Sequence, residues 1–200
     1  MNLPNKITLS RILFVPVFMF FVVPFPDWML TGFFSFMRPV NDFILGYGNY
    51  IAAGIFIIAS STDVVDGYIA RKKKMVTRFG KFLDPIADKL LVTAALIALV
   101  QNSEISGWAA MLIIAREFIV TGLRLVAAGE GIVIAASNLG KLKTITQDIA
   151  IVAVLLNNFP ISLFTSFPFD DYAILAAVII TLVSLYDYIK KNIKVIDYNS

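Results

Sequence analysis

Apolar residues fall along the chain in six blocks separated by short polar or charged stretches. The blocks run roughly over residues 12–26, 44–70, 82–100, 106–126, 142–157 and 172–189. Most approach the ~20 residues that a helix needs to cross a bilayer. No alternating apolar and polar segments of strand length recur, which argues against an outer-membrane barrel. The pattern predicts an all-α, polytopic membrane protein with six transmembrane helices. The first block is short unless the polar lead-in "NLPNKITLSR" continues its helix, and Pro16 and Pro24 are placed to bend it. No internal repeat or linker breaks the series, so residues 1–200 are expected to form a single domain. The N-terminus has no short apolar core followed by a small-residue cleavage site, so no removed signal peptide is expected.

Composition supports the membrane reading. Hydrophobic residues make up 58% of the 200 positions, and the mean hydropathy is +0.81. A water-soluble domain of this size could not bury so much apolar surface, so the excess must face lipid. The basic residues then set the orientation. One alternating set of segment ends carries Lys6, Arg11, the run "RKKK" at 71–74, Arg78, Lys81, Lys141, Lys143, Lys190, Lys191 and Lys194. The opposite loops hold Arg38 with Asp27, Asp42, Glu104, Asp170 and Asp171. By the positive-inside rule, both termini and the aspartate-rich connection face the cytoplasm, in a multi-pass protein of the cytoplasmic membrane. No nucleic-acid partner is expected.

Two absences narrow the chemistry. Without cysteine there is no thiolate nucleophile, disulfide or thiolate-ligated metal. Without histidine, the usual general base and the usual zinc ligand are both missing. Any metal must be held by oxygen, which favours Mg²⁺, Mn²⁺ or Ca²⁺, and any base near neutral pH is a carboxylate.

Four aspartates answer to both needs. Asp63 and Asp66 lie three apart near the cytoplasmic end of the second block, and Gly67 and Ala70 continue their helical stripe. Gly80, Asp84 and Asp88 are spaced by four at the start of the third. A short connection makes the two helices antiparallel neighbours, so the four carboxylates can converge at the membrane edge. One acid deep in a bilayer costs ~2.5–3.5 kcal/mol, and four uncompensated ones would approach ~10 kcal/mol, the scale of a domain's whole stability. Two divalent cations would neutralise them, and such a pair also clamps the attacking and leaving oxygens of a displacement at phosphorus. Gly67 and Gly80 leave room for a bulky anion at the helix backbone, and Arg71 can meet a phosphate or a base edge. Taken singly, each acid reads as a solvated helix end and the basic run as a topology signal. That reading leaves the common register of acids and glycines unexplained.

The pattern Asp63-x2-Asp66-Gly67-x2-Ala70-Arg71-x8-Gly80-x3-Asp84-x3-Asp88 resembles the complete signature of the CDP-alcohol phosphotransferase family. The resemblance implies a six-helix fold, commonly homodimeric, with a dinuclear site for Mg²⁺ or Mn²⁺. It implies transfer of a phosphatidyl-type group from a CDP-linked donor to an alcohol, with release of CMP. Asp63, Asp66, Asp84 and Asp88 would form the metal set, and Asp88 would also be the catalytic base. Asp63, Gly67, Ala70, Arg71 and Gly80 would bind the CDP moiety.

The acceptor must be read elsewhere. "IIAREFIVTGLRL" puts Arg116 and Glu117 inside the fourth block and Arg124 towards its cytoplasmic end, and "NLGKLKT" puts Lys141 and Lys143 at the entry to the fifth. Charges within a membrane helix are functional by default, although a structural Arg116–Glu117 ion pair and ordinary cytoplasmic lysines would also satisfy the pattern. As a cationic cluster outside the metal motif, Arg116, Arg124 and Lys141 suit the phosphate of a phosphorylated acceptor. "NLPNKITLSRILFVPVF", "GKFLDPIADKLL", "AREFIVTGLRL" and "GKLKT" resemble the phosphatidylglycerophosphate synthase branch of the family. That implies CDP-diacylglycerol, a membrane lipid, as donor and sn-glycerol 3-phosphate as acceptor. A synthase for another head group, of the cardiolipin or phosphatidylinositol phosphate type, is the alternative within the family. A divalent-cation transporter is the alternative outside it, but it would favour acids at mid-membrane.

Overall fold

Runs rich in alanine, leucine and isoleucine, with proline and glycine mostly at their margins, favour α-helix wherever the backbone must satisfy its own hydrogen bonds. The computed structural model describes residues 3–73, 78–129, 132, 134 and 137–192, with side chains described outside 3–8, 32–33, 63–85 and 88. Among the described residues there are six α-helices and no strand. They are α1 (Leu3–Val22), α2 (Arg38–Lys73), α3 (Arg78–Gln101), α4 (Gly107–Gly129), α5 (Asn138–Leu155) and α6 (Phe169–Lys191). Short 3₁₀ turns occupy Gly32–Met37 and Ile161–Leu163.

Each apolar block coincides with one helix, but the ends move. The polar lead-in belongs to α1, which starts at Leu3 and carries Pro16 inside it, while Pro24 lies beyond its end. Helix α2 begins at Arg38 with Pro39 in its first turn, where a missing N–H costs nothing. At its far end, α3 stops on Ser103 at φ 62°, with the Glu104 N–H bonded to the Leu99 carbonyl at 2.8 Å and the Ser103 N–H to Val100 at 3.0 Å. That is the left-handed stop that satisfies the last carbonyls of a helix. Helix α6 places Asp170 and Asp171 in its first turn and Lys190 and Lys191 in its last, each sign matching the helix dipole.

Two compact units emerge, residues 1–104 with 155–157, and residues 105–154 with 158–200. In the first, α1 packs along both α2 and α3. Phe18 and Phe56 meet with ring centroids 6.3 Å apart. Three asparagines tie one end of this unit. Asn41 Oδ1 accepts from the Phe25 N–H at 2.7 Å, Asn102 Nδ2 donates to the Val22 carbonyl at 2.9 Å, and Asn49 Nδ2 donates to Glu104 Oε1 at 2.9 Å. Close by, α1 and α2 approach so tightly that a Cβ on Gly48 would collide with the Phe21 carbonyl oxygen. Gly48→Ala is therefore expected to destabilise the protein by roughly 1–3 kcal/mol, since backbone and not a flexible side chain must give way. A thermal melt of the purified variant checks this, and an unchanged midpoint would mean that the two helices are not in such close contact.

In the second unit α4 packs on α6. Ala110, Ile113, Arg116, Val120 and Ala127 are the buried residues of α4, and Ala177, Thr181, Ser184 and Tyr188 those of α6. At the start of α6, Asn158 and Asp170 bond reciprocally, side chain to side chain and side chain to backbone, both at 2.7 Å.

Small residues recur at the buried positions, including Ala52, Ala53, Ala59, Ala95, Ala98 and Ala150. Large apolar ones point outward: Leu13, Leu45, Tyr186 and Leu125 are 62%, 65%, 70% and 75% exposed. Small residues between helices and large ones outside is the arrangement expected when lipid is the solvent. Among the described residues two stretches, Phe34–Thr62 and Phe169–Lys191, are long and apolar enough to cross a membrane. Leu9–Val22 and Lys89–Gln101 are shorter apolar stretches, and α4 and α5 carry Arg116, Glu117, Arg124, Lys141 and Lys143, which lower their hydropathy.

Candidate active site

The acid motif is divided between two helices of the first unit. Asp63, Asp66, Gly67, Ala70 and Arg71 occupy the last turns of α2, and Gly80, Asp84 and Asp88 the first turns of α3. With both segments helical, spacings of three, four and seven on α2 and of four and eight on α3 put each set along one helix face. The side chains of these eight residues lie outside the described residues. Residues 74–77, between the two helices, lie outside them as well. Among the described residues no group of three acids could hold a metal. The motif's donor set is carboxylate oxygen alone, which fits hard divalent cations such as Mg²⁺ or Mn²⁺ and does not suit zinc or copper. Arg11, an orienting charge by its position in the sequence, is buried in α1, the helix that packs on both acid-bearing helices.

The second unit holds the other polar constellation, with side chains fully described. Arg116 and Glu117 project from the middle of α4, and Lys143 from the first turns of α5. Helix α5 is started by Ser137, whose Oγ accepts the Gly140 N–H at 3.0 Å, a cap that sets where the following lysines emerge. Glu117 Oε1 accepts from Arg116 Nη1 at 2.8 Å and from Lys143 Nζ at 2.6 Å. The second Arg116 nitrogen, Nη2, donates to Ser184 Oγ on α6 at 2.7 Å. One carboxylate oxygen thus holds two cations, and α4, α5 and α6 meet in a single polar knot. Both cations are buried, with 8% and 3% of the Arg116 and Lys143 side chains exposed, against 22% for Glu117. Among the described residues, Arg116 Nε, Gln147 Oε1, Thr181 Oγ1 and the Tyr188 hydroxyl are buried and have no hydrogen-bond partner.

Arg124 and Lys141 are placed differently. Both are exposed, and the Arg124 guanidinium lies 5.8 Å from the centre of the Tyr188 ring. Tyr188 in turn lines a cavity of about 270 Å³ with Ser137, Asp187, Lys191 and Asn192. Asp187 and Lys191 pair across one turn of α6 at 2.8 Å. The structure therefore separates the cations of this unit into a buried, paired set and an exposed set. Lys143, equivalent to Lys141 by sequence position, belongs to the first. Ser184, Thr181 and Gln147 give only a faint signal in the sequence, as polar residues within apolar helices, and nothing there pairs Ser184 with Arg116.

A family model described as CDP-alcohol phosphatidyltransferase matches residues 1–185. The chain is 53% identical over 191 residues to a Bacillus subtilis (strain 168) protein named CDP-diacylglycerol--glycerol-3-phosphate 3-phosphatidyltransferase, covering 96% of this chain and 95% of that one. It is 35% identical over 189 residues to a protein of the same name from Rickettsia bellii (strain RML369-C), covering 94% of each. A Mycobacterium tuberculosis (strain ATCC 25618 / H37Rv) protein named probable phosphatidylglycerophosphate synthase is 37% identical over 201 residues, covering 96% of this chain and 82% of that one.

Proposed function

Because the chain belongs to the CDP-alcohol phosphatidyltransferase family, we propose that it transfers the phosphatidyl group of CDP-diacylglycerol to sn-glycerol 3-phosphate, giving phosphatidylglycerol phosphate and CMP. The observation that carries this is end-to-end similarity to proteins named for that reaction, together with the complete acid motif on α2 and α3. In this reading residues 1–200 act as one catalytic domain with six membrane crossings, both termini and the active site on the cytoplasmic side, and the enzyme is a homodimer. The outward-facing leucines and the one-sided distribution of lysine and arginine support that topology.

Asp63, Asp66, Asp84 and Asp88 would hold two Mg²⁺ or Mn²⁺, which supply charge to offset the donor diphosphate and to stabilise the leaving phosphate oxygen. Asp63, Gly67, Ala70, Arg71 and Gly80 bind the CDP moiety, the glycines leaving the backbone open to it. Arg124 and Lys141, the exposed cations, contact the phosphate of glycerol 3-phosphate, and Arg116 adds positive charge from its buried position. Asp88 takes the proton from the C1 hydroxyl. The freed oxygen pair forms a bond to the phosphorus that carries diacylglycerol, and the bond from that phosphorus to the CMP oxygen breaks. A carboxylate is an adequate base for this step, because CMP is an acidic and easily lost leaving group.

The deciding experiment measures CMP release from CDP-diacylglycerol across a panel of glycerol 3-phosphate, glycerol, inositol phosphate and phosphatidylglycerol. Glycerol 3-phosphate alone should support turnover. Equal rates with glycerol would remove the role assigned to the cations, and turnover with another acceptor would assign the enzyme to that head group. Arg124→Ala and Lys141→Ala should each raise KM for glycerol 3-phosphate about ten- to a hundredfold, the worth of a charge-assisted phosphate contact, with little change in KM for the donor. Arg124→Lys should rescue only part of this, since an ammonium keeps the charge but not the two-pronged fit.

A further inference from the structure

We infer that Glu117 is a positioning residue of the acceptor site, a role that rests on glycerol 3-phosphate being the acceptor. Its Oε1 joins Arg116 of α4 to Lys143 of α5, while Arg116 reaches α6 through Ser184. The exposed cations ride on two of the same helices. Arg124 lies eight residues beyond Arg116 on α4, about 12 Å along the axis, and Lys141 only two residues before Lys143 on α5. The knot therefore sets the register of α4 against α5, and with it the separation of Arg124 from Lys141.

Stability alone does not account for the knot. Replacing a buried ion cluster by packed apolar side chains is often neutral or stabilising, so a helix bundle that needed only cohesion would be at least as well served by leucine. The geometry of the knot points the same way. Two cations share one carboxylate oxygen, so loss of Glu117 would remove a hydrogen bond from both at once. Arg116 also keeps a buried Nε–H with no partner among the described residues. The cluster is built to hold its geometry.

The test compares wild type with Glu117→Gln, Glu117→Asp and Ser184→Ala as full-length enzymes in detergent–lipid micelles, with rates normalised to folded protein. KM is measured separately for glycerol 3-phosphate and CDP-diacylglycerol. Glu117→Gln should raise KM for glycerol 3-phosphate by about tenfold or more, as expected for losing a charged hydrogen bond, with KM for the donor changed less than about twofold. Glu117→Asp should recover part of the loss, and Ser184→Ala should raise the same KM by about threefold, as for a weaker neutral-acceptor bond. If Glu117→Gln does not fold, the Asp and Ser184 variants decide the matter by the same split. Unchanged KM for glycerol 3-phosphate, or equal shifts for both substrates, would overturn the role. So would a fall in that KM, which would make Glu117 a stand-in anion that the phosphate displaces. A wild-type enzyme that ignores glycerol 3-phosphate defeats the proposed reaction and this inference together. Normal wild-type turnover with indifferent variants defeats the inference alone.

Discussion

Asp88→Asn is expected to bind CDP-diacylglycerol and turn over about two to four orders of magnitude more slowly than wild type, the usual contribution of a positioned general base. The exchange is nearly isosteric and sits in the first turns of α3, where an amide supports the helix as well as an acid does. It removes one negative charge and the capacity to accept the acceptor's proton. Asp63→Asn and Asp84→Asn test the contrast. As proposed metal ligands without the base role, they should weaken donor and cation binding together with rate. The measurement is kcat at saturating substrate for each variant, alongside direct binding of the nucleotide donor. If Asp88→Asn kept most of its kcat, another group would have to be the base. Since the chain has no histidine, that group would be one of the remaining acids or solvent.

Excess chelator is expected to abolish turnover, and Mg²⁺ or Mn²⁺ to restore it. The chain contains neither histidine nor cysteine, so the acid motif can present only oxygen to a cation. Were the four carboxylates to gather at a membrane edge, as proposed, they would also need compensation, because each would cost up to ~2.5–3.5 kcal/mol if fully inserted and unpaired. Removing the cations should therefore lower the thermal midpoint as well as the activity, a readout independent of catalysis. Full turnover in chelator would dismiss the two-metal reading. Loss of activity without any loss of stability would place the acids in water, where they repel each other little.

The helices were legible in the sequence because a lipid-facing helix needs a long apolar run, and such runs are hard to produce by accident. Their starts were not. Hydropathy marks where a helix becomes compatible with lipid, whereas the hydrogen-bonded helix continues into polar residues, as α1 does back to Leu3 and α2 to Arg38. The segment 27–43 falls between the first two apolar blocks, yet it contains the first turns of α2 and the Asn41 side chain that holds the Phe25 backbone. The acid motif is legible because its chemistry is local to two consecutive helices at helical spacing. The cationic knot is only half legible. Adjacent Arg116 and Glu117 announce an ion pair, but Lys143 and Ser184 lie 26 and 68 residues from their partners, and only packing brings them in. Sequence position groups Lys143 with Lys141, whereas the fold buries one and exposes the other.

The asparagine-tied end of the first unit has a genetic consequence. Asn49 precedes Asp66 by seventeen residues on α2, about 25 Å along the axis, and Asn102 follows the aspartates of α3 by nearly as far. Damage at Gly48, Asn49 or Asn102 therefore reduces how many molecules are folded without altering what each folded molecule does. In a cell that depends on this enzyme, such alleles would survive in the cold and fail with heat. Alleles of Asp63, Asp84 or Asp88 would be dead at every temperature. A screen that sorts mutants by temperature would thus separate the scaffold of this protein from its chemistry along the length of two helices.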